Sequence, residues 1–141
     1  MSEGYFVDTN VIIDFLKKRE TPSVEKLKNL LKQDVRLCIN RIVLSETLRT
    51  IPIERENKFV SDKDVMLEAF QLLDIDHSIV MRSIELNRNG RSQGVSLKKE
   101  DECGWLDYIH YATAEQHQIE IISNDRDFIK ISSLAEMEEN A

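Results

Sequence analysis

The stretch Tyr5-Phe6-Val7-Asp8-Thr9-Asn10-Val11-Ile12-Ile13-Asp14-Phe15-Leu16 decides the fold. Tyr5 to Val7 is a short apolar run suited to a buried strand, and from Val11 to Leu16 the apolar residues recur with helical spacing. Between them stands a polar triplet, Asp8-Thr9-Asn10. The order reads as strand, tight turn, helix. In an open parallel sheet, ligands bind outside the carboxyl ends of the strands, so an acid at that point is a site candidate. Asp, Thr and Asn are also good helix caps. The stretch alone leaves Asp8 open between the two roles.

Composition sets the frame around it. A chain of 141 residues, 41% hydrophobic and 32% charged, suffices for one domain with a real core. The expectation is a single domain over 1–141 whose last residues, about seven in number, fray. Four Gly and two Pro argue against low-complexity character. No apolar run approaches the roughly 20 residues of a membrane span, and no basic-then-apolar leader opens the chain. Cys38 and Cys103 form no CxxC pair, and Cys38, inside the apolar run Val35 to Ile39, is expected to be a buried thiol. A cytoplasmic protein with no membrane partner follows as the default. The net charge of -7 argues against a general coat for nucleic acid, which would be basic. A protein this acidic that handles nucleic acid must concentrate its acids for another purpose, such as holding cations.

Outward from the first helix, Lys17-Lys18-Arg19 complements its dipole. Thr21-Pro22 starts a second helix with the apolar stripe Val24, Leu27 and Leu31. Val35 to Ile39 reads as a second strand. Asn40 caps a third helix running to about Ile51, with Glu46 in its middle and Arg49 three residues on as a pairing partner. Ser61 to Leu73 reads as a helix with Ser61 and Asp64 as a capping box, its inward face formed by Val65, Ala69, Leu72 and Leu73. A further helix over Ser78 to Leu86 uses Ile79, Val80 and Ile84. Asn87 to Ser96, with Asn89-Gly90 and Gly94, reads as a loop. From Arg82 to Lys99 stand five bases, Arg82, Arg88, Arg91, Lys98 and Lys99, against one acid, Glu85. A charge run is usually a solvated face, and in so acidic a chain a phosphate-contacting patch is an equal reading. Trp105 to Ala114 suggests a buried helix with Asp107 near its start. Ile119 to Ile122 is a third strand candidate, ending in Ser123-Asn124-Asp125-Arg126-Asp127-Phe128.

This order predicts an α/β class, a three-layer α/β/α sandwich with a mostly parallel central sheet. Parallel strands send their carboxyl ends to one edge. Asp8 and Asp125 would project there, and Glu46 and Asp107 sit on helices that start near it. Four carboxylates together repel one another unless a cation joins them. Oxygen ligands favour Mg²⁺ or Mn²⁺ over Zn²⁺. His77, His110 and His117 make no zinc spacing, so core or surface roles are expected for them.

Taken together, Asp8-Thr9-Asn10, the mid-helix Val43-Leu44-Ser45-Glu46, Asp107 followed by Ala112-Thr113-Ala114, and Ser123 to Phe128 resemble the PIN domain family, from Tyr5 to about Ile131. The resemblance implies an endoribonuclease cleaving single-stranded or structured RNA to 5′-phosphate and 3′-hydroxyl ends, with Mg²⁺ or Mn²⁺ as cofactor. Catalytic and metal-site acids would be Asp8, Glu46, Asp107 and Asp125. Asn10, Ser123 and Asp127 would support them, and Arg82, Arg88, Arg91, Lys98 and Lys99 would contact RNA. Stand-alone VapC-type toxin ribonucleases are the nearest in size, implying a homodimer and a small antitoxin partner. This chain has Ser123 where the family usually has Thr, and Trp105, Tyr108, His110 and Tyr111 make the helix around Asp107 bulky. The segment between Asn87 and Asp107 is long and charged, and one of Glu100, Asp101 and Glu102 could reach the metal site. A non-catalytic PIN-like module that binds RNA or protein is the alternative, and the retention of all four acids speaks against it. A phospho-acceptor receiver domain ranks lower, because Asp8-Thr9-Asn10 lacks the acidic pair that it needs.

Overall fold

Three apolar residues following Gly4 make the first strand, β1 (Gly4–Val7), the centre of the sheet. The computed structural model describes residues 4–97 and 104–140. Strand β1 pairs in parallel with β2 (Arg36–Asn40) on one side and β4 (Glu120–Ile122) on the other, and β3 (Gln71–Leu73) extends the sheet beyond β2. The order is β3-β2-β1-β4, all parallel, with Phe6 opposite Cys38 and Ile121. Phe6, Val7, Cys38 and Ile39 are fully buried, as the continuous apolar character of central parallel strands requires. Burial also pushes the Cys38 thiol above its ordinary value, outweighing the opposing pull of Arg36.

Among the described residues, seven α-helices follow the strands: α1 (Thr9–Leu16), α2 (Pro22–Leu31), α3 (Arg41–Leu48), α4 (Glu56–Ala69), α5 (His77–Ser92), α6 (Trp105–His117) and α7 (Asp127–Glu139). The chain divides into two compact units. Met1–Asp74 with Ile119–Asn124 carries the sheet and α1 to α4; Ile75–Gln118 with Asp125–Ala141 carries α5 to α7. In the first unit, Thr21 caps α2 ahead of Pro22, and the buried Asn40 caps α3 by accepting from the Val43 amide at 3.0 Å. In the second, α5 packs against α6 and α7, with Ile79, Leu86, Ile109, Ile131 and Leu134 in the core. None of the described helices is long and apolar enough to cross a membrane.

Several expectations change. The second helix buries Leu30 and leaves Leu31 exposed. Helix α3 ends at Leu48, and α4 starts at Glu56, so Ser61 and Asp64 lie inside a helix and form no capping box. Met66 supplies the buried position of α4, while Val65 is exposed. Leu72 and Leu73 belong to β3, an unexpected strand. Phe70 turns to extended backbone (φ -123, ψ 142), yet residues 66, 69, 70 and 73 keep helical spacing, so periodicity hides the boundary. Helix α5 runs through Asn89-Gly90 to Ser92, replacing the expected loop, and buries Ile79, Ser83, Leu86 and Gly90 while Val80 and Ile84 face outward. The acids after Leu134 lie on α7, which is helical to Glu139 instead of fraying.

Candidate functional site

In the first unit, chain order jumps sides at β1: β2 and β3 are laid down on one side of it, and β4 on the other. Such a switch point opens a crevice at the carboxyl ends of the two strands, here β1 and β4. Asp8 follows β1 and Ser123 follows β4. Asp8, 6% exposed, is a helix cap: its Oδ1 accepts from the Thr9 amide at 2.8 Å, and its Oδ2 faces two further donors. Ser123 Oγ donates to that oxygen at 2.7 Å and Asn10 Nδ2 at 3.1 Å. Asn10 Oδ1 in turn accepts from the Asn124 amide at 3.2 Å. Ser123 and Asn10 therefore both orient Asp8. Thr9 Oγ1 donates to Glu46 Oε1 at 2.8 Å, tying the half-buried Glu46 to the same turn. The role of Thr9 was missed in sequence, because a hydroxyl between two candidate residues looks like cap chemistry.

In the second unit, Asp107, Asp125 and Asp127 each place a carboxylate oxygen within 4.8 Å of the others. Asp107 sits in the first turn of α6 and Asp127 in the first turn of α7, where the helix dipole favours negative charge. Asp107 is 9% exposed and Asp127 2%. The Asp127 amide donates to Asp125 Oδ1 at 2.9 Å, and Lys130 Nζ stands 3.4 Å from Asp127. Three close carboxylates repel one another, and this hard oxygen set fits a divalent Mg²⁺ or Mn²⁺ ion better than Zn²⁺. His110, 1% exposed, places a ring nitrogen within 4.8 Å of an Asp107 oxygen. Its signal in the sequence is the i, i+3 spacing from Asp107.

The basic group is less uniform than it reads in sequence. Arg82 is held by Glu115 at 2.7 Å, Glu138 at 2.8 Å and Glu85 at 2.9 Å. Glu115 foremost, and then Glu138, hold its guanidinium pKa above the ordinary value against the opposing effect of burial. Arg82 is thus a structural tie between α5, α6 and α7, not a free phosphate contact. Two of its partners come from distant sequence and do not show in a local charge count. Arg88 and Arg91 are exposed on α5. Lys98 and Lys99 lie outside the described residues, as do Glu100, Asp101 and Glu102.

The first unit has an all-parallel sheet with an anchored acid after β1, and the second has three close carboxylates at two helix starts; the class of protein is an α/β domain rich in clustered acids. Residues 5–134 match the family model described as PIN domain, and the chain belongs to the PIN domain family. The three-layer α/β/α class expected from sequence comes with it. PIN domains are generally nucleases that use divalent metal ions. Solved structures share the fold at low identity. VapBC2 from Rickettsia felis, bound to a DNA fragment from its promoter, is 18% identical with a TM-score of 0.69, covering 90% of this chain and 91% of that one. VapBC-1 from nontypeable Haemophilus influenzae is 18% identical with a TM-score of 0.68, covering 92% of each. FitAcB from Neisseria gonorrhoeae is 18% identical with a TM-score of 0.67, covering 86% and 88%. A search of curated proteins gives no match.

Proposed function

We propose that this protein is a Mg²⁺- or Mn²⁺-dependent endoribonuclease, the toxin half of a toxin–antitoxin pair. The observation that carries the reading is the group of buried Asp107 and Asp127 with half-buried Asp125, each placing a carboxylate oxygen within 4.8 Å of the others in a chain of the PIN family. Asp8 and Glu46 complete the acid set by the family motif. When bound, a divalent ion would activate water as a nucleophile and neutralise charge developing on the phosphate. The chain's own residues do the rest. Ser123 and Asn10 hold Asp8 Oδ2 in one orientation, and Thr9 holds Glu46. Lys130 offsets part of the charge at Asp127. Arg88, Arg91, Lys98 and Lys99 are assigned to the RNA backbone; Arg82 leaves that set.

Among solved structures of the same fold is a toxin–antitoxin complex from Klebsiella pneumoniae, and this supports a small antitoxin partner. Exposed Val80, Met81 and Ile84 on α5 favour a second copy of the chain as a homodimer partner. A cytoplasmic location agrees with an RNA substrate. The test is cleavage of RNA by the purified protein with Mn²⁺, with EDTA, and by Asp8→Asn with Mn²⁺. Cleavage in the first reaction alone is expected, with Asp8→Asn reduced at least about 100-fold, the order expected when a group acting on the reacting centre is lost. Equal cleavage by the wild type and Asp8→Asn would overturn the reading.

A further inference from the structure

We propose that His110 is a metal ligand, adding an imidazole nitrogen to the carboxylates beside Asp107 and setting a preference for Mn²⁺ over Mg²⁺. The inference rests on the metal-dependent reading above and goes beyond it, because that reading assigns only carboxylates. Four observations carry it. Asp107 and His110 are i and i+3 on α6, positions that share one face of a helix. A carboxylate followed three residues later by His on a buried helix is the arrangement by which helical proteins bind metal from within their core, as in the Glu-x-x-His pairs of di-iron bundles. A His110 nitrogen and an Asp107 oxygen lie within 4.8 Å, a gap that one ion spans after a small side-chain adjustment. His110 is also 1% exposed, so its ring lies in the protein interior beside Asp107.

Its neighbours in the second unit make the placement specific. Asp107 belongs at once to the His110 pair and to the group with Asp125 and Asp127. The other two histidines stand at helix ends, His77 exposed and His117 half-buried. The chemistry follows from donor type. Mg²⁺ demands oxygen and dehydrates reluctantly, whereas affinity for nitrogen rises from Mn²⁺ through the later first-row ions. One imidazole in a carboxylate site therefore shifts selectivity toward Mn²⁺ without abolishing Mg²⁺ binding.

The experiment uses the full chain loaded with Mn²⁺ and reads electron spin echo modulation, which detects ¹⁴N bonded to the ion. The wild type is expected to show imidazole ¹⁴N modulation that turns into the ¹⁵N pattern when the protein is grown with ¹⁵N-histidine. His77→Gln/His117→Gln leaves His110 as the one histidine of the chain, and the modulation persists. His110→Gln loses it, with Mn²⁺ affinity falling about tenfold or more and Mg²⁺ affinity changing less. Should His110→Gln fail to fold, the labelling and the double variant still decide. Bound Mn²⁺ without histidine modulation, or modulation lost in the double variant, overturns the role of His110 and leaves the metal reading standing. Failure of the wild type to bind Mn²⁺ overturns both.

Discussion

Asp8 shows how much one residue is asked to do. It caps α1 through one oxygen and offers the other to Ser123 and Asn10. A carboxylate fixed by two donors is preorganised, and a loosened one costs rate before it costs stability. Ser123→Ala is expected to lower cleavage about tenfold and stability by only about 1 kcal/mol, the net worth of one hydrogen bond. Ser123→Thr keeps the hydroxyl and should stay within about twofold of the wild type, since 1.4 kcal/mol corresponds to a factor of ten. Cleavage rates and urea unfolding of the two variants check both numbers. A Thr variant as impaired as the Ala variant would show that packing at this position, not the hydroxyl, controls Asp8.

Helix α5 carries the information at the level of elements. Its Gly90 reads as a turn residue from sequence, yet it is buried in the helix. A Cβ built there would lie 2.4 Å from Tyr108 Oη and 3.2 Å from Leu134 Cδ1. Helix propensity alone favours Gly90→Ala by about 1 kcal/mol. Overpacking a buried contact costs about 1–3 kcal/mol. Tyr108 is itself buried and has little room to give, so the clash should win. Net destabilisation on urea unfolding is the expected result, and a stabilised variant would refute the close approach of α5 to α6 and α7. The start of the same helix sets a pH dependence. Asp76 accepts from the Ile79 amide and from Gln116, and these bonds, the Ile79 amide first, hold its pKa below the ordinary value. A depressed folded pKa contributes stability above the unfolded pKa of about 3.9 and loses it as pH falls through the folded value. The melting temperature of the wild type should therefore drop more steeply below about pH 4 than that of Asp76→Asn, which caps without titrating.

For the whole molecule, the proposed RNA substrate raises the question of how a chain of net charge -7 would engage a polyanion. Arg82 is spent on Glu85, Glu115 and Glu138, leaving Arg88 and Arg91 exposed on α5 among the described residues of that group. Each phosphate contact to a single strand adds about 0.7 to the slope of log affinity against log salt. Arg88→Ala/Arg91→Ala should weaken RNA binding by a catalytically silent Asp8→Asn background and reduce that slope by about 1.4. Arg82→Ala should instead lower the melting temperature, because it leaves three carboxylates without their shared partner. Binding titrations at several salt concentrations and thermal melts separate the two roles.

Much of this protein is legible along the chain. The parallel α/β class, the junctions where β1 runs into Asp8 and β4 into Ser123-Asn124-Asp125, and the caps at Thr21 and Asn40 follow from local patterns, because a strand, a cap or a turn is chosen by residues within a few positions of one another. Strand β3 was hidden because three residues after a helix keep the helical period. The helical Asn89-Gly90 was hidden because a glycine required by Tyr108 looks the same as a glycine required by a turn. The fate of Arg82 rests on Glu115 and Glu138, and the link between Glu46 and Thr9 spans 37 positions. These are contacts between residues far apart in sequence, whose energies depend on distance and burial, and only the tertiary structure supplies either.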